Sequence, residues 1–207
     1  MLYFDIGANV GNWSLANIQE DITIIAVEAQ RSFSYENLVK NVSMHKKIIP
    51  LNYAVHNTKD EYIKFYECSD YGYVLSTTNK EWFVNKNFRF YGSNYTEVLC
   101  KTITIDNLIL KYGIPNIVKI DVEGAEYETL TSLTHKVDTI CFEWASEVKD
   151  VTLNCLDYLF KIGFTKFCIQ QNDNYTFRPT EYEDISVIKT ILSKQTPKVE
   201  WGMIWAQ

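Results

Sequence analysis

Leu2-Tyr3-Phe4-Asp5-Ile6-Gly7-Ala8-Asn9-Val10-Gly11 opens the chain on an apolar run that carries an acid near its end and breaks at two glycines four positions apart. A short run of this kind bounded by glycine predicts a buried parallel strand over 2–6. A second run, Ile22-Thr23-Ile24-Ile25-Ala26-Val27, stops at Glu28. Between them Trp13 and Ala16, then Leu15 and Ile18, stand three apart, so 10–20 reads as a helix and a β-α-β unit is complete in fewer than thirty residues.

Working outward, Tyr35, Leu38, Val39 and Val42 repeat at i, i+3, i+4, i+7 and predict a second amphipathic helix, with Ser32 or Ser34 as its cap. Residues 48–55 predict a third strand, with Pro50 near its start, where a missing amide is tolerated. The rhythm breaks at 56–103. Strict alternation in 62–66 and a run of aromatics through Trp82, Phe83, Phe88, Phe90 and Tyr91 mark an inserted antiparallel β-hairpin and loop, expected to wall the substrate side. Ile105, Leu108, Ile109 and Tyr112 then restore the helical spacing, stopped by Gly113 with Pro115 beyond. Strand 117–121, helix 125–133, strand 139–144, helix 151–162 closed by Gly163, and strand 164–170 follow. A polar stretch without a strong helical pattern leads to a last strand over 199–206, expected to pair antiparallel. The expected fold is α/β, a doubly wound, mostly parallel sheet in one domain, 1–207, with ligands bound outside the carboxyl ends of the strands where strand order reverses. The first strand is the expected switch point.

Length and composition bound the function. The 207 residues suffice for one domain with an insertion, and 46% hydrophobic with 22% charged residues excludes a disordered chain. A formal charge of −6 offers no attraction to a phosphate backbone, so nucleic acid is not the expected substrate. Cys68, Cys100, Cys141, Cys155 and Cys168 lack any C-x-x-C spacing and read as reduced buried thiols. No apolar run approaches the ~18 residues of a membrane helix, and the first residues lack a signal-peptide pattern, so a cytoplasmic protein without a membrane partner is expected.

The chemistry concentrates at strand ends. Gly7 and Gly11 do not make the G-x-G-x-x-G of a nicotinamide site, and Asp5 would repel a pyrophosphate. A carboxylate there suits a cationic ligand such as the ammonium of an amino acid or, through water, a sulfonium. Glu28 is placed either to accept hydrogen bonds from both hydroxyls of a ribose or simply to end its strand in solvent. Lys119 and Asp121 alternate on a strand expected to be buried, either as a structural ion pair or as catalytic groups with Glu123. Glu143 and Trp144 end the next strand and either bind and stack on a sugar or merely finish the strand. His56 either reaches the site or is a loop residue.

The ordered motifs D-I-G-A-N-V-G at 5–11, V-E-A at 27–29, T-I-D-N-L-I at 104–109 and V-K-I-D-V-E-G-A-E at 118–126 resemble the FkbM-type S-adenosylmethionine-dependent methyltransferases, a class I branch that mostly methylates hydroxyl oxygens. The resemblance spans about 2–145 and implies a Rossmann-like class I methyltransferase fold with S-adenosyl-L-methionine as cofactor. It implies that Asp5, Gly7, Asn9 and Gly11 cradle the methionine part, that Glu28 holds the ribose, that Asn52, Tyr53 and Ala54 flank the adenine, and that Ala8 and Ala29 also bind the cofactor. Asp121, Glu123 and Lys119 become the catalytic candidates, with Glu143, Trp144 and His56 toward a small-molecule or glycan hydroxyl. The adjacent-acid and histidine pattern of catechol-type sites is absent, so no metal is expected. The first strand begins so near Met1 that the aromatic insertion or a partner chain, such as a second copy, is expected to roof the cofactor. The rival functions are a nicotinamide-dependent oxidoreductase on a similar sheet and a non-catalytic binding module of methyltransferase fold.

Overall fold

A computed structural model describes residues 1–58, 61–70, 74–194 and 200–207. In chain order the elements are β1 (Leu2–Ile6), α1 (Asn12–Asn17), β2 (Thr23–Glu28), α2 (Glu36–Asn41), β3 (Ile48–Asn52), β4 (Ala54–Val55), β5 (Tyr62–Cys68), α3 (Glu81–Val84) and β6 (Tyr95–Ile103). There follow α4 (Ile105–Tyr112), β7 (Ile117–Ile120), α5 (Glu126–Leu130), β8 (Thr139–Ala145), α6 (Lys149–Lys161), β9 (Phe167–Gln171), α7 (Ile185–Ser193) and β10 (Trp201–Ala206). Seven strands form one sheet in the order β3-β2-β1-β7-β8-β10-β9. All its pairings are parallel except those of β10, which runs antiparallel to both β8 and β9. Strand order reverses at β1, so a ligand crevice opens at its carboxyl end.

Alternation puts the sheet's side chains into two cores. Phe4, Ile6, Val118, Ile120, Phe142 and Ile204 face one side with Leu156 and Leu159 of α6, while Tyr3, Ile24, Ala26, Cys141, Met203 and Trp205 face the other with Trp13 of α1. Asp5 and Lys119, neighbours in the β1–β7 register, share the second face.

A second sheet, β4-β6-β5, stands where the rhythm of the sequence broke. β5 and β6 pair antiparallel over Tyr62–Cys68, and β4 joins β6 in parallel, so the stretch expected as one strand over 48–55 serves two sheets. The aromatics between β5 and β6 pack on one another: Trp82 lies 5.3 Å from both Phe88 and Phe90, and Phe83 stacks on Tyr95 at 5.1 Å. With Trp82 and Phe83 almost fully buried, these rings are a small core of their own, not the substrate wall expected of them. Residues 59–60 and 71–73 of this segment, and 195–199 before β10, lie outside the described residues, Val199 of the expected last strand among them.

Three local expectations need correction. Helix α7 occupies the polar stretch expected to lack a strong helical pattern. Its apolar positions are Ile185, Val187, Ile188, Ile191 and Leu192, mostly β-branched, of which Ile188 and Leu192 are buried on the first core while Val187 and Ile191 stay exposed. The α5 helix ends at Leu130, short of 133. Helix α2 is preceded by a wider turn over Arg31–Tyr35 that neither Ser32 nor Ser34 caps. Gln30 does so, its side-chain oxygen accepting from the amides of Phe33 at 3.0 Å and Ser34 at 2.6 Å.

Candidate active site

The carboxyl ends of β1, β2, β7 and β8 open into a cavity of about 590 Å³, within the ~300–1,000 Å³ usual for small-molecule sites. Its lining includes Gly7, Ala8, Asn9, Glu28, Ala29 and Ala54, together with Lys119, Asp121, Glu123 and Glu143.

Lys119 is 3% exposed, and its Nζ lies 3.1 Å from Asp121 Oδ2, 3.4 Å from Asp5 Oδ1 and 3.2 Å from the carbonyl oxygen of Gly7. Burial disfavours its charge, but the two carboxylates outweigh that and hold it above the ordinary lysine range. Asp5 is fully buried. Ser14 donates to its Oδ2 at 2.6 Å and Lys119 is its counter-ion, so Asp5 supports the floor and is not in the cavity lining, contrary to its expected place at the ligand. The reason is facial: side chains of β1 at odd positions enter the second core, and the crevice begins only at the turn after Ile6.

That turn needs its glycine. Gly7 has φ +74, and a Cβ there would stand 1.7 Å from the carbonyl oxygen of Asp121. Asn9 follows at φ 47, aiming its amide at Glu28 Oε2, 2.8 Å away, while the amide of Gln30 donates to Oε1 at 2.7 Å. Glu28 is 8% exposed, and its pKa is raised from 4.5 to about 7 because burial outweighs these two hydrogen bonds. Two expected ligand residues stand behind this edge. Gly11 is the N-cap of α1 and outside the lining, and Asn52 spends its amide group on the carbonyls of Glu28 at 2.8 Å and Ala29 at 3.0 Å.

The acid-rich turn after β7 is held in an unusual conformation. Glu123, φ 57, and Gly124, φ +86, are both left-handed, and a Cβ on Gly124 would meet Trp82 Nε1 at 2.4 Å. The carbonyl of Glu123 accepts from Trp82 Nε1 and, at 2.8 Å, from Thr77 Oγ1, and Asn79 Nδ2 donates to the Gly124 carbonyl at 3.1 Å. From below, Glu126 Oε1 accepts from the amides of Val122 and Gly124. The insertion thus clamps the turn with Trp82 and Thr77.

Clamped this way, Glu123 joins Asp121 and Glu143, each offering a carboxylate oxygen within 4.8 Å of the others. The side chains of Glu123 and Glu143 make no hydrogen bond or ion pair with any described residue. Burial, then the neighbouring carboxylates, push both well above the ordinary carboxylate range. Glu126 is likewise raised, to about 7, by burial first. Trp144, next to Glu143, points to the opposite face, 1% exposed in the first core, and cannot stack on a ligand. Trp201, half-buried at the start of β10, lines the cavity instead. His56 does not reach the cavity either: it follows β4 into the second sheet, its amide donating to Ile103, its Nδ1 accepting from the amide of Thr58, its pKa lowered by burial.

Some of the lining carried no signal in the sequence. Phe65 and Val74 come from the insertion, and Asp173 and Tyr175 from the loop between β9 and α7, which also covers the cavity. The alternation in 62–66 marks Phe65 as a strand residue without singling it out as part of a site, and the loop between β9 and α7 has no motif that points to one.

The seven-stranded order with an antiparallel β10, and an acid at the carboxyl end of the strand beside the switch point, define a methyltransferase-type nucleotide-binding fold. Among solved structures the chain is similar to precorrin-6y C5,15-methyltransferase from Geobacter metallireducens GS-15, with 11% identity and a TM-score of 0.48 over all of this chain and 78% of that one. It is similar to an rRNA methylase from Streptococcus thermophilus, with 10% identity and a TM-score of 0.45 over 100% and 85%. It is also similar to M. jannaschii TYW2, solved in complex with AdoMet, with 11% identity and a TM-score of 0.44 over 99% and 67%. No curated protein matches the chain in sequence. The family model of the methyltransferase FkbM domain matches residues 5–165, and the chain belongs to that family. It is an S-adenosylmethionine-dependent methyltransferase. No described helix is long and apolar enough to cross a membrane.

Proposed function

We propose that the protein transfers a methyl group to a hydroxyl oxygen of a sugar, glycoconjugate or small metabolite, with the Glu123–Glu143 pair accepting the proton. S-adenosylmethionine, when bound, supplies the methyl group from a positively charged sulfur in an in-line displacement. Glu28 suits the ribose, because each of its oxygens already accepts one backbone amide and keeps a lone pair for a hydroxyl. Ala8 and Asn9 bring backbone close to the ligand, and Ala29, Tyr53 and Ala54 leave room for a flat base.

A hydroxyl has a pKa far above 7 and must lose its proton at or after the transition state. The observation that carries the proposal is the pair of carboxyls, Glu123 and Glu143, open to the cavity, without hydrogen-bonding partners and made more basic by burial and mutual repulsion. A carboxylate raised above its ordinary range holds a proton more tightly and so takes one from a hydroxyl more effectively. Asp121 is the weaker candidate, since its Oδ2 is engaged by Lys119. Lys119, Asp5 and Asp121 form the fixed support against which the acceptor is aligned. The ring of Trp201 offers an apolar face for a sugar.

The test is turnover with methyl-labelled S-adenosylmethionine and a panel of glycosides and small alcohols, the product located by NMR. An O-methyl product is expected, and Glu143→Gln should lower kcat by ~10²-fold or more with S-adenosylhomocysteine affinity retained. Methyl transfer to nitrogen or carbon, or parental kcat in both Glu143→Gln and Glu123→Gln, overturns the reading. The same three carboxylates favour one second reading, a divalent cation that lowers the acceptor's pKa. Loss of turnover to EDTA and its recovery with magnesium would select it.

A further inference from the structure

We propose that Asp173, on the loop between β9 and α7, is the counter-ion for the ammonium of the methyl donor's amino-acid portion, with Tyr175 beside it as the roof of that end of the site. The inference rests on the S-adenosylmethionine reading of the cavity and adds a residue beyond the 5–165 matched by the family model. A donor with a nucleoside at one end and an amino acid at the other needs a hydroxyl acceptor and, some distance away, a partner for a cation. Glu28 supplies the first at the end of β2, with Tyr53 and Ala54 beside it in the lining.

Three aspartates act on Lys119, and two are committed. Asp5 is sealed beneath the floor by Ser14 and Lys119, and Asp121 Oδ2 is held 3.1 Å from Lys119 Nζ. Asp173 lines the cavity, and its carboxylate makes no hydrogen bond or ion pair with any described residue. It sits within electrostatic reach of Lys119, Asp121 and Asp5, which places it over the β1–β7 end of the crevice. Burial raises its pKa to about 6, with Lys119 opposing and the two other acids adding to the shift, so a cation brought to it would be welcomed.

The loop is built to hold this position. Asn172 is left-handed at φ 58, and Gln170 Nε2 donates to the carbonyls of Asn172 at 3.2 Å and Asn174 at 3.4 Å. Asn17 of α1 donates through Nδ2 to the carbonyl of Tyr175 at 3.0 Å. Arg178 bonds Asn17 Oδ1 and lies over Trp205, 5.4 Å from the ring centroid. A carboxylate fixed in advance at the cavity wall binds a cation with little ordering cost.

Calorimetry with two ligands tests this directly: S-adenosylhomocysteine, which carries the ammonium, and 5′-methylthioadenosine, which keeps the nucleoside and sulfur but lacks the amino acid. Asp173→Asn should weaken S-adenosylhomocysteine by ~10- to 100-fold, the range for a lost charged hydrogen bond, and leave 5′-methylthioadenosine unchanged. Equal losses for both ligands would make Asp173 a structural residue, and no loss for either would place the ammonium elsewhere. Both outcomes overturn the proposal and leave the cofactor reading intact. Failure of the parent protein to bind either ligand would instead remove the cofactor reading, and this assignment with it.

Discussion

Alternation along β1 and β7 brings Asp5, Lys119 and Asp121 together, and the consequences of removing each differ. Lys119→Met strands the fully buried Asp5 without its counter-ion and should cost about 3–5 kcal/mol of stability by urea unfolding. Asp121→Asn leaves the Asp5–Lys119 pair in place and should cost clearly less, so the reverse order would mean that Asp5 is not the ion Lys119 serves. Glu28 makes a pH prediction. Its pKa is raised from 4.5 to about 7, so between those values the folded state binds a proton that the unfolded state has released. Its contribution to stability is therefore fully present below pH 4.5 and lost as pH rises toward 7. Ribose hydroxyls donating to the carboxylate favour its ionised form. Binding of S-adenosylhomocysteine near pH 6 should thus release a proton, seen as a dependence of the calorimetric heat on buffer ionisation enthalpy. Affinity should rise with pH up to about 7, and Glu28→Gln should diminish both effects, leaving only the share that Asp173 contributes. The acids at 28, 121, 123 and 143 were legible from the sequence as strand-end groups. That Asp5 and Trp144 turn inward was not, because a side chain's face depends on where each strand emerges from the sheet.

At the level of elements, the insertion acts on the site through the turn after β7 more than through its own rings. Trp82→Phe keeps most of the buried aromatic area but removes the indole N–H that holds the Glu123 carbonyl. Turnover should fall while S-adenosylhomocysteine affinity stays near parental, and a variant with unchanged kcat would show that the left-handed Glu123 is held by Thr77 alone. Trp82→Ala should in addition cost about 3–5 kcal/mol, the usual loss for a buried ring, and excising 86–92 should disrupt folding of the second sheet because Phe88 and Phe90 pack on Trp82. Alternation in 62–66 announced β5, and Gly113 the end of α4, since both signals lie within a few residues. Helix α7 is hard to read because Val187 and Ile191, exposed but apolar and β-branched, blur the i, i+3, i+7 spacing of Ile185, Ile188 and Leu192.

Across the whole molecule, the cavity joins segments from both ends of the chain, so ligand and fold are linked. S-adenosylhomocysteine at about 100 times its dissociation constant should stabilise the protein by about 2.7 kcal/mol, measurable as a rise in melting temperature. Gly7→Ala should lose that rise and much of the parent's stability together, because its Cβ would force β1 from the carbonyl of Asp121. Most of the order of strands and helices, the switch point at β1 and the acids at strand ends follow from the sequence by itself, because periodicity, glycine stops and apolar runs act between residues close along the chain. The contacts that complete the site are of another kind. Trp82 meets Glu123 across 41 positions and Asn17 meets Tyr175 across 158, and such encounters leave no pattern in either segment. Only tertiary packing decided which carboxylates face the cavity, what clamps the acid turn and what roofs it, since each depends on two distant segments being buried against the same surface.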